Sequence, residues 1–331
     1  MEINDIVGID VSKLTIDVVI YKSKSYRKLK NSTKGFKELI KWVLSHSKEK
    51  KEDMLFVFEH TGLYSHQLSV FLSENEFNFT IVPGLEIKRS LGIARGKDDK
   101  IDAAKIARYA YRLRDEIQPT RLPSVDMQVL KDLLRLRERM VRQKAGYITH
   151  LNEIKGILKK KDNAVLFTTQ QSMVNSLEKQ IEKIEYQIDN IITKNSLLNR
   201  QFNLLKSIKG IGRQTALYMI ITTAAFTRFK SSRQYAAYCG VAPFPNSSGT
   251  SINGRTKVSH LANKKVKAVL DMAAMSAIRN NPEMRIYYQR KVNDGKNKRS
   301  IINAVKNKLL ARMFAVIKRD SLYINISNYA A

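Results

Sequence analysis

Six apolar residues between positions 174 and 191 recur in alternating steps of three and four, a spacing that restricts this part of the chain to a long helix. They are Val174, Leu177, Ile181, Ile184, Ile188 and Ile191. Residues spaced in this way lie on one face of an α-helix, as the a and d positions of a coiled coil do. Because such an apolar face must be covered, the stripe predicts a second helix packed along it.

A looser apolar stripe comes before this helix and supplies the expected partner. Its members are Leu130, Leu133, Leu134, Met140, Val141, Ile148, Leu151, Ile154 and Leu158. The polar segment 159–163 separates the two stripes and is expected to form the tip of an antiparallel helical hairpin. A helix of about 26 residues is roughly 39 Å long. We favour a projecting coiled-coil arm that dimerises or clamps nucleic acid; the alternative is a plain helical bundle within one domain.

The first 115 residues have the alternating pattern of a mixed α/β domain. Predicted strands cover 5–21 (a hairpin broken near 12–14), 26–30, 54–58 and 79–83, and predicted helices cover 36–44, 64–74, 85–94 and 99–113. Helices are also predicted at 263–279 and 298–318. The predicted fold class is therefore α/β plus α, with an α/β domain at 1–118, the helical hairpin at 119–200 and a mainly helical domain at 201–331.

A glycine-containing turn joins two apolar helical runs near the start of the third part. Gly210 and Gly212 flank Ile211 there, and the pattern resembles a helix-hairpin-helix, in which backbone N–H groups can hold a phosphate. An ordinary turn between helices has the same pattern. The basic side chains around the turn favour the phosphate-binding interpretation; they are Lys206, Lys209 and Arg213.

The charge of the chain predicts a polyanionic partner. Lys and Arg number 59 against 30 Asp and Glu, a net charge of +29. Nucleic acid is the simplest partner for such a chain; a charge that serves solubility or an anionic membrane surface is the alternative. Residues 251–331 carry 17 Lys and Arg against 4 Asp and Glu, so this region, which includes Lys264 and Lys265, is a further candidate for phosphate binding.

Other features of the chain predict a cytoplasmic protein. No apolar run reaches the roughly 20 residues that span a bilayer, so we expect no membrane partner. The N-terminal residues lack the pattern of a secretory signal. The single cysteine, Cys239, excludes an internal disulfide and is expected to be a buried structural thiol.

Three aspartates are concentrated between positions 98 and 102 of this basic chain. If a helix begins at Asp99, then Asp99 and Asp102 share one face, with Cβ atoms roughly 5–6 Å apart. Two carboxylates about 4 Å apart repel by roughly 4 kcal/mol at an effective dielectric constant near 20. A shared divalent cation would remove that repulsion, but acids at a helix start also cap the helix without any ligand.

Two further carboxylates lie on predicted strands. Asp10 is surrounded by apolar residues in the first strand, and Glu59 ends the apolar run 54–58. An Asp in a buried strand is costly unless it is paired or bound to a metal. Oxygen-only ligands suit Mg²⁺, with Mn²⁺ as its substitute, and two such ions assist phosphodiester cleavage. Asp10, Glu59, Asp99 and Asp102 are therefore the candidate metal-binding and catalytic acids.

Several motifs occur together in one order along the chain. They are VGIDVSK, FEHTGLY, IVPGLEIKRSLGIARGKDDKIDAAKIARYA and GIGRQTALYMI, followed by FKSSRQYAAYCGVAPFPNSSGTSINGR. This set resembles the DEDD-type insertion-sequence transposases, the group that includes the Piv invertase and the bridge-RNA-guided recombinases. The resemblance implies a RuvC-like first domain with the RNase H fold, whose acidic tetrad would be the four acids named above. Asp98 stands where family members more often have Thr, so it is not expected to be a ligand.

The resemblance also implies a nucleophilic serine in the C-terminal domain. The family motif matches Ser248 in PNSSGTS, with the adjacent Ser247 as the alternative. By composition alone the segment would be a flexible turn. Serine needs activation by a base or a metal, which the first domain could supply if both domains meet over DNA. Arg255 and Lys257 are expected to stabilise the developing phosphate charge.

The function implied is site-specific DNA recombination that mobilises an insertion sequence. By resemblance, a structured noncoding RNA would pair with donor and target DNA, in a dimer or tetramer near the bacterial or archaeal nucleoid. The absence of a base-reading motif agrees with guidance by RNA. Two alternatives stay open. One is a Holliday-junction resolvase or a protein-guided invertase that uses metal-activated water; the other is a non-catalytic nucleic-acid-binding protein.

Overall fold

A computed structural model of the chain describes residues 3–90, 98–248, 252–258 and 261–324. It divides into two compact units, Met1–Leu122 and Pro123–Ala331. The described residues form twelve α-helices, two β-sheets and one short 3-10 turn at Lys51–Asp53. The mixed α/β and mainly helical character is confirmed. The division into three domains stays a prediction.

A five-stranded mixed sheet forms the centre of the first unit. Its strands are β1 (Asp5–Val11), β2 (Thr15–Ile20), β3 (Tyr26–Lys30), β4 (Met54–Glu59) and β5 (Phe79–Val82). The sheet order is β3-β2-β1-β4-β5. β1, β2 and β3 pair antiparallel, whereas β4 runs parallel to both β1 and β5. This order is consistent with the RNase H fold that the family resemblance implies.

Helices cover both faces of this sheet. They are α1 (Thr33–His46), α2 (Leu63–Glu74), α3 (Gly84–Ser90) and α4 (Asp99–Arg112). Side chains alternate between the faces of a strand. Val7, Ile9 and Val11 therefore join the core beneath α1 and α2, while Ile6 joins the core with α4. The same alternation leaves one face of β1 to pack against α4.

The second unit begins with two long helices and continues with shorter ones. Its elements are α5 (Val125–Lys155), α6 (Ala164–Lys194), α7 (Ser196–Lys206), α8 (Arg213–Thr222), α9 (Ser232–Tyr238), β6 (Pro243–Ser248), β7 (Ile252–Val258), α10 (Lys264–Asn280), α11 (Pro282–Asn293) and α12 (Lys298–Arg319). None of the helices in the described ranges is long and apolar enough to cross a membrane. Cys239 is buried in this unit, and burial raises the pKa of its thiol to about 12, as expected for a structural cysteine.

The paired helices α5 and α6 contain 31 residues each and pack on one another. The stripe on α6 is buried at Val174, Ile181, Ile184 and Ile188, but its end falls at Ile192 (3% exposed) rather than at Ile191. An undistorted helix drifts against a strict heptad, which accounts for this shift of one residue.

The apolar seam between α5 and α6 contains a polar pair near the end of α5 and the start of α6. His150 Nδ1 and Gln170 Oε1 are hydrogen-bonded there at 2.8 Å. A separate apolar cluster lies nearer the tip and includes Leu151 and Phe167. Ile148 and Leu158, which the sequence places on the stripe of α5, are exposed.

A two-stranded antiparallel ribbon forms where composition suggests a flexible segment. β6 and β7 pair from Pro243 with Val258 to Ser248 with Ile252, with an irregularity between Phe244 and Asn246. Residues 249–251 at the tip lie outside the described residues. The base of the ribbon is held by two side-chain amides of α12: Asn303 and Asn307 both donate to the Val241 carbonyl, at 2.7 and 3.3 Å.

Candidate active site and nucleic-acid interface

Strand alternation brings acidic side chains to one face of the sheet. Asp10 of β1 pairs with Asp17 of β2, so both carboxylates lie on the side of the sheet that carries α4. Glu59 ends β4, the parallel neighbour of β1, and lies on the same face of that strand as Leu55 and Val57, which pack in the core beside α4. We call the carboxylates of Asp10, Asp17, Glu59, Asp99 and Asp102 the acid face.

A close contact at Gly8 brings α4 onto β1. A Cβ at Gly8 would lie 2.5 Å from both the Ala103 carbonyl oxygen and the Ala107 nitrogen. Asp10 is two residues beyond Gly8 on the same face, and Asp99 and Asp102 occupy the first turn of α4, before Ala103. The helix start therefore meets the end of the strand at which Asp10 lies.

The carboxylates of the acid face interact electrostatically. The pKa of Asp10 is raised from 3.8 to about 6, mainly because burial penalises its charged form. The charges of Asp99, Asp102, Asp17 and Glu59 contribute further, in that order. Negative charges from two neighbouring strands and one helix are thus concentrated around the half-buried Asp10 carboxyl group.

Glu59 is held against the start of α3. A Cβ added to Gly84 would lie 2.0 Å from Glu59 Oε1, so the carboxylate occupies the space that any side chain at this position would take. Gly84 is the first residue of α3. A side chain at position 84 would therefore require the Glu59 carboxylate to move.

Lysines partly neutralise the acid face. Lys105 Nζ lies 2.8 Å from Asp102 Oδ1 within α4. Lys28 Nζ lies 3.5 Å from Asp17 Oδ2 and 3.6 Å from Asp99 Oδ2. Asp17 was not singled out by sequence reasoning. The position of Asp17 in β2 indicates its place beside Asp10 only when the pairing of β2 with β1 is known.

The start of α4 is capped by an acid in the ordinary way. Asp98 is the N-cap of α4, where its carboxylate accepts a hydrogen bond from the Lys100 backbone N–H. It therefore has a structural role at the start of the helix. α4 begins at Asp99, which confirms the condition for Asp99 and Asp102 to share a face.

The donor set of the acid face fits a divalent ion by its chemistry. All its ligands would be carboxylate oxygens, which suit Mg²⁺ or Mn²⁺. In the described part of the chain, however, no three His, Cys, Asp or Glu side chains lie close enough together to form a complete metal-binding site. Asp99 and Asp102 instead contact lysines. The acids would therefore have to exchange lysine contacts for the ion.

The turn between α7 and α8 leaves its glycines in different environments. Gly210 has φ of +101°, and a Cβ there would lie 2.5 Å from the Ala277 Cβ of α10. Gly212 is the N-cap of α8, and a Cβ there would meet no described atom within 4 Å. Gly210 is therefore required for packing, whereas the backbone at Gly212 is open to approach by a ligand.

The basic side chains around this turn divide into two groups. Lys206 and Lys209 are exposed, and the Lys206 ammonium lies over the Phe202 ring. Arg213 instead donates to Asp189 Oδ1 at 2.9 Å and to the Glu185 carbonyl oxygen at 3.1 Å. Arg213 thus ties α8 to α6, and the two lysines are the better candidates for phosphate contacts.

The remaining candidates lie on the ribbon and on α10. Lys264 and Lys265 begin α10 and are exposed; Lys265 Nζ contacts Glu138 Oε2 at 2.6 Å. The backbones of Ser247, Ser248, Arg255 and Lys257 belong to the ribbon, but their side chains lie outside what the structure describes. Lys264 is therefore the candidate on α10 whose charge is better placed for a phosphate.

Comparison with known proteins places the chain among DNA-rearranging proteins. A DEDD-type family model described as a transposase matches residues 7–161, and a second, described as the IS116/IS110/IS902 transposase family, matches residues 202–289. The pilin gene-inverting protein of Moraxella bovis is 28% identical over 321 residues, 95% of this chain and 96% of that protein. The insertion element IS110 uncharacterized 43.6 kDa protein of Streptomyces coelicolor is 26% identical over 152 residues, 46% of this chain and 36% of that protein.

Proposed function

Because the chain belongs to the IS116/IS110/IS902 family of DEDD-type transposases, which are DNA-recombining enzymes, we propose that it cuts and rejoins DNA at specific sites through the acid face and Ser248. The observation that carries this proposal is the acid face itself. A basic chain that concentrates carboxylates around Asp10, with the raised pKa described above, is suited to act on a polyanion rather than only to bind it.

We propose Asp10, Glu59, Asp99 and Asp102 as the ligands of Mg²⁺ or Mn²⁺. When bound, such ions would neutralise phosphate charge and stabilise the attacking and leaving oxygens of a phosphodiester. The chain's contribution is to hold the carboxylates on one sheet face: β1 and β4 fix Asp10 and Glu59, and the Gly8 contact fixes the start of α4. The Asp17 carboxylate contacts Lys28, and Asp17 is only 1% exposed. We therefore assign Asp17 a role in holding Lys28 rather than a contact with DNA.

Ser248 is proposed as the nucleophile of the cutting step. Its Oγ would lose its proton and bond to phosphorus while the bond from phosphorus to the adjoining sugar oxygen breaks. The sugar oxygen would take up one proton in exchange and leave as a hydroxyl. Attack by a new sugar hydroxyl reverses the step and joins the strands. The position of Ser248 at the end of β6, on a ribbon whose base α12 holds, supports this role, with Arg255 and Lys257 on the facing strand.

We propose that a structured noncoding RNA guides the choice of donor and target DNA. The net charge of +29 provides for binding two polyanions, and the sequence contains no base-reading motif. The turn at Gly210–Gly212, read as a helix-hairpin-helix, would hold phosphates through Lys206 and Lys209. A dimer or tetramer is proposed because two duplexes must be cut and exchanged, with the α5–α6 coiled-coil hairpin as an arm available for assembly.

DNA inversion is a second candidate function, favoured by the relatives described as pilin gene-inverting proteins. Inversion would use the same cutting and joining steps on two sites of one DNA molecule. It differs in how sites are chosen, since an invertase of this kind could read them without RNA. Sequencing the RNA that stays bound to the purified protein would separate the two: one discrete RNA encoded beside the gene supports guidance, and a mixture of cellular RNAs supports the invertase.

Ser248→Ala tests the proposed chemistry directly. The assay incubates the protein with its native element on supercoiled plasmid and Mg²⁺, then detects protein–DNA adducts that survive detergent. We expect Ser248→Ala to abolish adducts and strand joining while DNA binding persists, and Ser247→Ala, the matched control, to retain both. Adducts formed by Ser248→Ala but not by Ser247→Ala would transfer the role to Ser247. Cleavage without adducts in the unmodified protein would favour metal-activated water, as in a junction resolvase.

A further inference from the structure

Lys28 bridges two carboxylates of the acid face that differ in burial, Asp17 and Asp99. Its ammonium lies 3.5 Å from Asp17 Oδ2 and 3.6 Å from Asp99 Oδ2, and so bridges strand β2 and helix α4. The two carboxylates differ in environment: the Asp17 side chain is 2% exposed, and that of Asp99 is 59% exposed. Lys28 therefore has one fixed partner and one partner that faces solvent.

The Asp17 carboxylate is itself well anchored. Its Oδ1 accepts a hydrogen bond of 2.6 Å from the Tyr26 hydroxyl. Tyr26 and Lys28 lie two residues apart on β3, and Lys28 is directly opposite Asp17 in the strand register. Strand pairing thus holds the base of the lysine in place, and Asp17 restricts where its ammonium can go. Such an arrangement orients Lys28 toward the start of α4 at little further entropic cost.

The charges around Lys28 make it the natural competitor of a divalent cation. Asp99 is one of the four proposed metal ligands, and an ion bound to its carboxylate would compete with the ammonium for the same oxygen. Both cations are attracted by the same group of acids. The lysine is the weaker competitor at Asp99, because its single charge is shared between Asp17 and Asp99, whereas a divalent ion carries two charges.

We propose that Lys28 is a built-in counter-ion of the acid face, which holds Asp99 when no divalent ion is bound and must be displaced from it when the ion enters. The inference rests on the proposed metal-binding role of the acid face. Lys28 is a positioning residue in this scheme: it keeps Asp99 near its working position and, by competing with the ion, sets how tightly the ion binds. Asp17 and Tyr26 retain the displaced ammonium beside the site.

The test measures Mn²⁺ affinity of the full-length protein without DNA, from the electron paramagnetic resonance signal of unbound Mn²⁺. We expect Lys28→Met to lower the Kd for Mn²⁺ threefold to tenfold, since a competing cation is removed. Half of the Lys28 side chain is exposed, so solvent screening keeps the effect from being larger. The gain should shrink as KCl is raised from 0.05 to about 0.5 M, because screening weakens charge interactions.

Two variants control for charge and for folding. Lys22→Met removes the same charge from the same unit, at a side chain that is 45% exposed and paired with Glu49 at 2.8 Å; it should leave the Kd within twofold of the original. Lys28→Arg keeps the charge and should also stay within twofold. An unchanged or higher Kd in Lys28→Met would overturn the counter-ion role while leaving the metal site in place.

The failure of the metal site itself would look different. Asp10→Asn and Asp99→Asn should each weaken Mn²⁺ binding at least tenfold if the acid face is the binding site. If the unmodified protein binds no Mn²⁺ that these two substitutions remove, both the metal role in the proposed function and the counter-ion inference are wrong. Tight, aspartate-dependent binding that Lys28→Met does not alter refutes only the inference.

Discussion

Replacing Gly8 by alanine should displace helix α4 and with it Asp99 and Asp102 of the acid face. The added Cβ would lie 2.5 Å from both the Ala103 carbonyl oxygen and the Ala107 nitrogen. It would also lie 2.7 Å from the Ala107 Cβ. Two of these atoms belong to the helix backbone and cannot rotate away. Restoring a separation of 3.4 Å requires a movement of about 0.9 Å, because non-bonded atoms at shorter distances repel.

The displacement has a cost in stability and a larger one in activity. Overpacking of this kind typically costs about 1–3 kcal/mol. Asp99 and Asp102 move with the helix, and a misplacement of about 1 Å can lower a reaction rate about a hundredfold. We therefore expect Gly8→Ala to fold, with unfolding free energy reduced by about 2 kcal/mol and DNA strand cleavage reduced by about two orders of magnitude.

Trp42 makes this prediction measurable. It is the single tryptophan of the chain and lies buried in the core of the first unit, so its fluorescence during urea unfolding reports on that unit. Gly146→Ala in α5 is the control, since a Cβ there meets no described atom within 4 Å; the Trp42 transition and cleavage should both be unchanged. A Gly8→Ala variant with the original urea midpoint and cleavage rate would refute the argument that this contact sets the position of α4.

Two further predictions concern the charge of the acid face and the turn between α7 and α8. The pKa of Asp10, raised to about 6 in the folded protein, means that its ionised form opposes folding above pH 6 and that this cost disappears as the pH falls toward 4. Asp10→Asn should therefore abolish cleavage yet stabilise the first unit by about 1 kcal/mol at pH 7.5, after discounting for solvent screening, and give no gain at pH 4. Trp42 fluorescence in urea measures this, and destabilisation at pH 7.5 would contradict it. Gly210→Ala, at φ of +101° and with its Cβ 2.5 Å from Ala277, should destabilise the second unit by about 2–3 kcal/mol, whereas Gly212→Ala should change its stability by less than about 0.5 kcal/mol. Loss of helical circular dichroism on heating distinguishes the two, and equal midpoints would show that the packing at Gly210 is dispensable.

The predicted strands and helices of the first unit agree with the described residues because their signals are local; residues 91–94 of the helix predicted at 85–94 lie outside the described residues. Apolar runs such as 54–58 and the helical spacing at 36–44 need only neighbouring residues to be recognised. The ribbon β6–β7 was not predicted from residues 240–257, since its glycines, serines and prolines resemble a loop. Its strands are stabilised by each other and by the Asn303 anchor on α12, which lies 62 residues beyond Val241 in the chain.

Distant contacts also decided the roles of several charged residues. Arg213 was predicted to meet phosphate from its place beside a glycine turn, yet it pairs with Asp189 and Glu185 of α6. The sequence alone does not indicate a role for Asp17 or Lys28, because an acid in β2 and a lysine in β3 are common features. Only strand pairing places them beside Asp10 and Asp99. The sign of a residue's charge is known from the sequence, whereas its ion-pair partners are known only from the tertiary structure.

The sequence by itself determined the elements of this protein and the side of each element on which its residues lie. The period of two in β1 and β4 places Asp10 and Glu59 on defined faces, and the period of an α-helix places Asp99 and Asp102 together at the start of α4. Only the tertiary structure decided that these faces coincide. Parallel pairing of β1 with β4, and the contact that Gly8 permits with α4, bring the carboxylates of separate elements around Asp10. The reason is physical: a repeat along the chain sets the direction of a side chain, whereas packing between elements sets its neighbours.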